Sequence, residues 1–153
     1  MSMKSLRKKY SSMNVLITAG VKPYLQEPDE QYMNINQLLH FKCILSSWRI
    51  QLLKDIEYSV LRMRDEVSVN FPDPVDRASQ EEEFNIELRN RDRERKLIKK
   101  IEKTLKKIDM KEFGFCALCG IEIGIGRLEA NPIASLCFDC KTLEEIKEKQ
   151  MTG

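Results

Sequence analysis

At 153 residues, 42% apolar and 33% charged, with 26 Lys plus Arg nearly balancing 24 Asp plus Glu, the chain suits one ordinary domain with a small core and a large solvated surface. A net charge of +2 and a pI near 8.2 exclude a strong global pull toward nucleic acid, so any electrostatic function must come from how charge is distributed. The opening MSMKSLRKKYSS is basic, but Val15-Leu16-Ile17 behind it are too few apolar residues for a secretory core or a membrane span, and a cytoplasmic protein is expected.

Residues 1–33 mix polar residues with Gly20, Pro23 and Pro28, which predicts a basic tip, one short helix over 12–19 and an extended lead-in. From about 34, Leu38, Phe41, Leu45, Trp48, Leu52, Ile56, Val60, Met63 and Val67 recur at steps of three or four, the stripe of a long amphipathic helix. Its first steps alternate as in a coiled-coil seam. A second run begins near 74 and passes 108 without Gly or Pro, with Phe84 and Leu88 near its start and Ile98, Ile101, Leu105 and Ile108 later. Between these groups the seam is expected to fall on Arg91 and Arg95.

Two helices of roughly 35 residues would each be about 50 Å long. A short connection makes them antiparallel, and each narrow stripe needs the other helix, so an αα-hairpin over 34–109 with its tip at 70–79 is the least demanding arrangement. The fold class expected is mainly α: a long antiparallel coiled-coil hairpin projecting from a small globular domain. The N-terminal segment 1–33 would pack on that domain, and residues 110–153 would supply a zinc-finger module and a C-terminal helix. On the first helix Cys43 reads as a small buried or half-buried residue, and His40, the only histidine, as a helix-surface residue rather than a ligand or base.

The connection carries FPDPVDRA, residues 71–78. Asp73 followed by Pro74 fits an N-cap and first helical position, and Asp76 stands where a capping-box acid would. The same prolines also stiffen a turn that presents acids at the end of a rod, so capping and an interaction site both stay open. Farther along the second helix, ELRNRDRERKLIKKIEKTLKK at 87–107 is strongly basic. A solvated face is the usual meaning of such a run. Arg93, Leu97 and Lys100 nonetheless share one face, which suits a phosphorylated ligand or an acidic protein rim.

CALCG at 116–120 and CFDC at 137–140 form C-x2-C-x17-C-x2-C. Cys116, Cys119, Cys137 and Cys140 can turn four thiolates toward one ion, which suits a closed, structural Zn²⁺ site with no open position for catalysis. Gly120 supplies the backbone freedom such a knuckle often needs. KTLEEIKEKQ reads as a helix starting beside Cys140, whose N-terminal N–H groups favour thiolate charge. One histidine, no nucleophile elbow and no phosphate-binding loop leave little from which to build an enzyme.

Three long stretches together resemble the DksA family of bacterial transcription factors that bind RNA polymerase. They are YMNINQLLHFKCILSSWRIQL, the run from FPDPVDRA through KTLKKI, and CALCG to the C-terminus, and the resemblance covers nearly everything from about residue 13 onward. It implies a non-enzymatic regulator of the stringent response whose rod enters the polymerase secondary channel and destabilises open promoter complexes. Asp73, Asp76 and Ala78 match the family's tip motif. Guanosine tetraphosphate (ppGpp) would be held jointly with a polymerase rim by Arg93, Leu97, Lys100 and Lys141. Asn131 stands where relatives commonly carry Arg, which implies weaker alarmone coupling. The resemblance further implies a monomer with no sequence-specific DNA binding and no membrane contact. The competing readings are a zinc-ribbon nucleic-acid binder using the basic run at 89–107, against which the missing stacking aromatics argue, and a purely structural coiled-coil partner.

Overall fold

A computed structural model describes residues 14–67 and 73–153. The expectations for residues 1–13, and for the part of the tip at 70–72 that holds Phe71 and Pro72, lie outside the described residues. Among the described residues are five helices: α1 Asn14–Ala19, α2 Ile35–Val67, α3 Pro74–Asp109, α4 Ile125–Ala130 and α5 Phe138–Thr152. There is no strand among the described residues, only one antiparallel bridge between Phe115 and Glu122, so the mainly helical reading holds. No described helix is long and apolar enough to cross a membrane.

The helix ends follow local chemistry. Gly20 (φ +65°) stops α1, with Gly20 N–H donating to Ile17 and Val21 N–H to Leu16. This double closure is a Schellman motif. Lys111 (φ +60°) stops α3 in the same way, its N–H on Ile108 and that of Glu112 on Lys107. Asn34 caps α2 by accepting from Gln37 N–H at 2.9 Å. In return Gln37 Oε1 accepts from Met33 N–H at 2.7 Å, a capping box displaced by one residue. Asp73 caps α3 as its sequence suggests, accepting from Val75 N–H at 3.0 Å, with Pro74 in the first helical position.

The chain divides into two compact units. One comprises the described residues up to Trp48 together with Lys103–Gly153. The other is Arg49–Glu102.

In the first unit, Phe41, Ile44, Leu45, Ile123 and Leu128 are fully buried, and Ile108 and Phe113 nearly so. The Phe41 and Phe113 rings meet at 5.2 Å between centroids. Helix α1 packs against α4, with Val15 buried. Lys42 pairs with Asp109 at 2.7 Å, an exposed contact of little energetic weight. The extended lead-in is fastened by Tyr32, whose hydroxyl lies against the carbonyls of Gly114, at 2.7 Å, and Ile123. Gly114 must be glycine. Its φ is +95°, and a Cβ there would sit 2.9 Å from the Met33 side chain and the Tyr32 hydroxyl.

In the second unit the two helices run antiparallel. Contacts join Arg49 to Glu102 at one end of the unit and Glu66 to Gln80 at the other, with Ser59–Glu87 and Met63–Arg91 between them, so a low-numbered residue of α2 meets a high-numbered residue of α3 and the reverse. Leu52, Met63, Ile98 and Ile101 are buried, and Ile56 and Val60 half-buried. One expectation fails on α3. Leu88 is 40% exposed and Phe84 39%, and Arg95 also lies outside. Alternating steps of three and four counted back from Ile98 land on Glu94, Arg91 and Glu87, and these are half-buried instead. Ile98 and Ile101 set the register, which carries Leu88 and Arg95 one position off the seam.

Candidate functional site

The four cysteines come together. One ligand atom from each of Cys116, Cys119, Cys137 and Cys140 lies within 4.8 Å of every other. Two turns build the arrangement. In the first, Gly120 (φ +73°) reverses the chain so that its N–H donates to the Cys116 carbonyl at 3.0 Å, and Cys116 N–H donates to Ile121 at 2.8 Å. In the second, Cys137 is itself the N-cap of α5, its sulfur accepting from Cys140 N–H at 3.5 Å. Helix α5 therefore begins at Phe138 rather than beside Cys140. Its first turn is the second C-x-x-C, because the cap is a ligand sulfur.

The donor set fits Zn²⁺. Thiolates about 2.3 Å from a tetrahedral ion lie roughly 3.8 Å apart, and the Cys119 and Cys137 sulfurs are 3.7 Å apart. The backbone N–H groups of Cys119 and Cys137 push the Cys116 thiol down to about 6. Hydrogen bonding to the Cys137 and Cys119 sulfurs pushes Cys140 up to about 12. Four clustered sulfurs thus resist full ionisation on their own, which is the condition a divalent cation relieves. With four thiolates and no fifth donor among the described residues, the sphere closes as in structural sites.

The remaining sequence-derived residues divide between the units. Asp73, Asp76 and Ala78 are all exposed in the first turns of α3. Asp73 has its carboxylate engaged in the cap, whereas Asp76 stands exposed beside it. Farther along α3, Arg93 and Lys100 are exposed and Leu97 half-buried. Lys141 belongs to the first unit, on α5, where Glu144 takes its ammonium at 2.8 Å and raises its pKa. Asn131 is exposed at the end of α4, its N–H on the Arg127 carbonyl at 2.9 Å.

Two sequence readings are corrected. His40 is not a helix-surface residue: its side chain is 10% exposed, with a ring nitrogen 2.9 Å from Glu129, which also accepts from Tyr24 N–H at 2.6 Å. No local pattern announces this, because Glu129 is 89 positions away. Cys43, expected buried or half-buried, is exposed, since Phe41, Ile44 and Leu45 form the inward face of that turn. The sequence reading also missed α4 and the Tyr32 fastening. The spacing of Ile125 and Leu128, both buried, was the available signal for α4.

Residues 37–108 match the family model described as DnaK suppressor protein DksA, N-terminal domain, and residues 111–145 match the prokaryotic dksA/traR C4-type zinc finger. A protein of Salmonella typhimurium named RNA polymerase-binding transcription factor DksA is 64% identical over 95% of this chain and 96% of its own. The protein of the same name from Escherichia coli K12 is 63% identical over the same shares. That of Buchnera aphidicola subsp. Schizaphis graminum is 61% identical over 98% of this chain and 99% of its own. Among solved structures, transcription factor DksA2 from Pseudomonas aeruginosa is similar with a TM-score of 0.74, at 34% identity, covering 80% of this chain and 94% of that one.

Proposed function

Because the chain belongs to the DksA family, we propose that it is a cytoplasmic, non-catalytic regulator that binds RNA polymerase directly. It enters the secondary channel with the α2–α3 connection foremost and, together with ppGpp, destabilises open promoter complexes. The observation that carries this reading is identity of 63–64% over nearly the whole chain to proteins named for binding RNA polymerase. Chemistry at the start of α3 supports it. Asp73 meets the local need of the helix, so the exposed Asp76 beside it is the acid available to a partner. On this reading Asp76 presents negative charge near the polymerase active site, and Asp73 and Ala78 set its conformation and clearance.

Arg93, Leu97 and Lys100 supply two cations around an apolar residue on one face of α3, a composition that suits a phosphorylated ligand at a protein rim. Lys141 contributes a third cation, restrained by Glu144. Asn131 offers no charge to such a ligand, and alarmone coupling is accordingly weaker here than in relatives with Arg. Zinc, held by the four cysteines, shapes the first unit and takes no part in chemistry.

The test is Asp76→Asn, which removes the charge and keeps the shape. In a purified transcription reaction at a ribosomal RNA promoter the variant is expected to bind polymerase and to lose most of its inhibition. Inhibition equal to wild type would overturn the role given to this end of the molecule.

A further inference from the structure

Helix α2 ends at Val67, and the last carbonyls of any helix lack N–H partners of their own. One of these, Glu66 O, accepts at 2.9 Å from the side-chain amide of Gln80, two turns into α3. The bond joins residues 14 apart and brackets both Asp73 and Asp76. On the other side of the connection, Asp73 fixes the start of α3 through Val75 N–H and Arg77 N–H, each at 3.0 Å.

Packing does little of this work. Among the described side chains of this unit, the buried apolar one of α2 nearest its end is Met63, while α3 buries none before Ile98. Beside the bond lies an open cleft of about 440 Å³, lined by Glu66, Gln80, Glu81, Phe84 and Asn85, and Phe84 is 39% exposed. Among the described side chains no buried apolar pair joins the two helices here, and of the described polar contacts between them the Gln80 bond is the one nearest the connection. A side-chain N–H donor suits the position, since it faces a helix-end carbonyl that has no N–H partner of its own.

We infer that Gln80 is a positioning residue for the acidic end of the molecule: its hydrogen bond to Glu66 O fixes where Asp76 is held relative to α2. The inference rests on the proposed role of Asp76, and deepens it by separating the residue that acts from the residue that places it.

The experiment compares full-length wild type, Gln80→Met, Gln80→Arg and Asp76→Asn. Met keeps the length of Gln and removes the donor, while Arg keeps a donor. Affinity for polymerase is read by competition with labelled wild type, and function by the decay rate of open ribosomal RNA promoter complexes at saturating protein. Gln80→Met is expected to bind within about twofold of wild type and to accelerate decay about fivefold less at saturation, the factor one neutral hydrogen bond is worth. Gln80→Arg is expected to regain most of the effect. Should Gln80→Met match wild type at saturation while Asp76→Asn is inactive, the positioning role is wrong and the role of Asp76 stands. A Gln80→Met variant that loses affinity and thermal stability but keeps its full saturating effect would make Gln80 merely structural, and so also overturns the inference. If Asp76→Asn is itself as active as wild type, the underlying reading fails first.

Discussion

In the first unit, Phe41, Leu45, Phe113, Ile123 and Leu128 close on one another, and two cysteine pairs bring distant parts of the chain to one point. The second unit draws on the same two long helices yet buries only a thin line of apolar residues, interrupted on α3 by Glu87, Arg91 and Glu94. There the Arg91 guanidinium donates to the Met63 sulfur, and its Nε is buried with no partner among the described residues. The contrast teaches that one helix can serve two purposes along its length. Apolar density and thiolates hold the first unit together, while the second has a thin apolar line, registered by Ile98 and Ile101, supplemented by polar contacts that are each worth little.

The largest expected effect comes from breaking the cysteine cluster. Cys137→Ser removes a ligand sulfur while leaving a hydroxyl able to cap α5, so its effect isolates the lost ligand. Structural zinc sites contribute on the order of 10 kcal/mol to folding. The variant is expected to lose its equivalent of zinc in a colorimetric chelator assay and to become protease-sensitive across 103–153, with the second unit still helical. Full zinc retention would show that the cluster is not the fastening of the first unit.

Gly114→Ala strikes the same unit without touching a ligand. The left-handed backbone and the collision with Met33 and Tyr32 together predict a loss of about 2 kcal/mol, read as a lower midpoint in urea. Burial also pushes the Tyr32 phenol up to about 12, so the hydroxyl it offers to the two carbonyls stays protonated at any physiological pH.

Acid should move the two units in opposite directions. Glu94, in the second unit, has its pKa raised above 4.5 by burial and by the carboxylates of Asp55 and Glu87, with Arg91 partly offsetting them. Its charged form is the disfavoured one, so the penalty present near neutrality is relieved as pH falls toward 4.5. Glu30, in the first unit, has its pKa lowered below 4.5 by hydrogen bonds from Tyr24 and Asn34. Its stabilisation is present above that value and is lost as pH falls through the depressed pKa. Hydrogen exchange read helix by helix, and corrected for intrinsic rates, should show protection in the second unit rising as pH falls from neutrality toward 4.5, and protection around Tyr24–Asn34 falling only in stronger acid. Glu94→Gln should abolish the first change and leave the second. Parallel loss in both units would erase the contrast.

Much of this was legible in the chain. The two long helices, the Asp73–Pro74 start and the four sulfurs follow from spacing and from side chains that act on their immediate neighbours. What escaped depends on partners far away in sequence. Leu88 looked inward because the apolar pattern of α3 is ambiguous by one position until Ile98 and Ile101 meet α2. His40 looked like a surface residue because Glu129 lies on a six-residue helix inside the cysteine loop. Gln80 drew no notice because a glutamine among glutamates has no pattern until the end of α2 is placed beside it.

The central claim is that Asp76 is carried to the interior of RNA polymerase. A photo-crosslinking amino acid placed at residue 76 in the full-length protein, irradiated with purified polymerase and mapped by mass spectrometry, tests it most directly. The account predicts adducts on the walls of the secondary channel close to the active site, competed away by unlabelled wild type. Adducts confined to the outer surface of polymerase would contradict it.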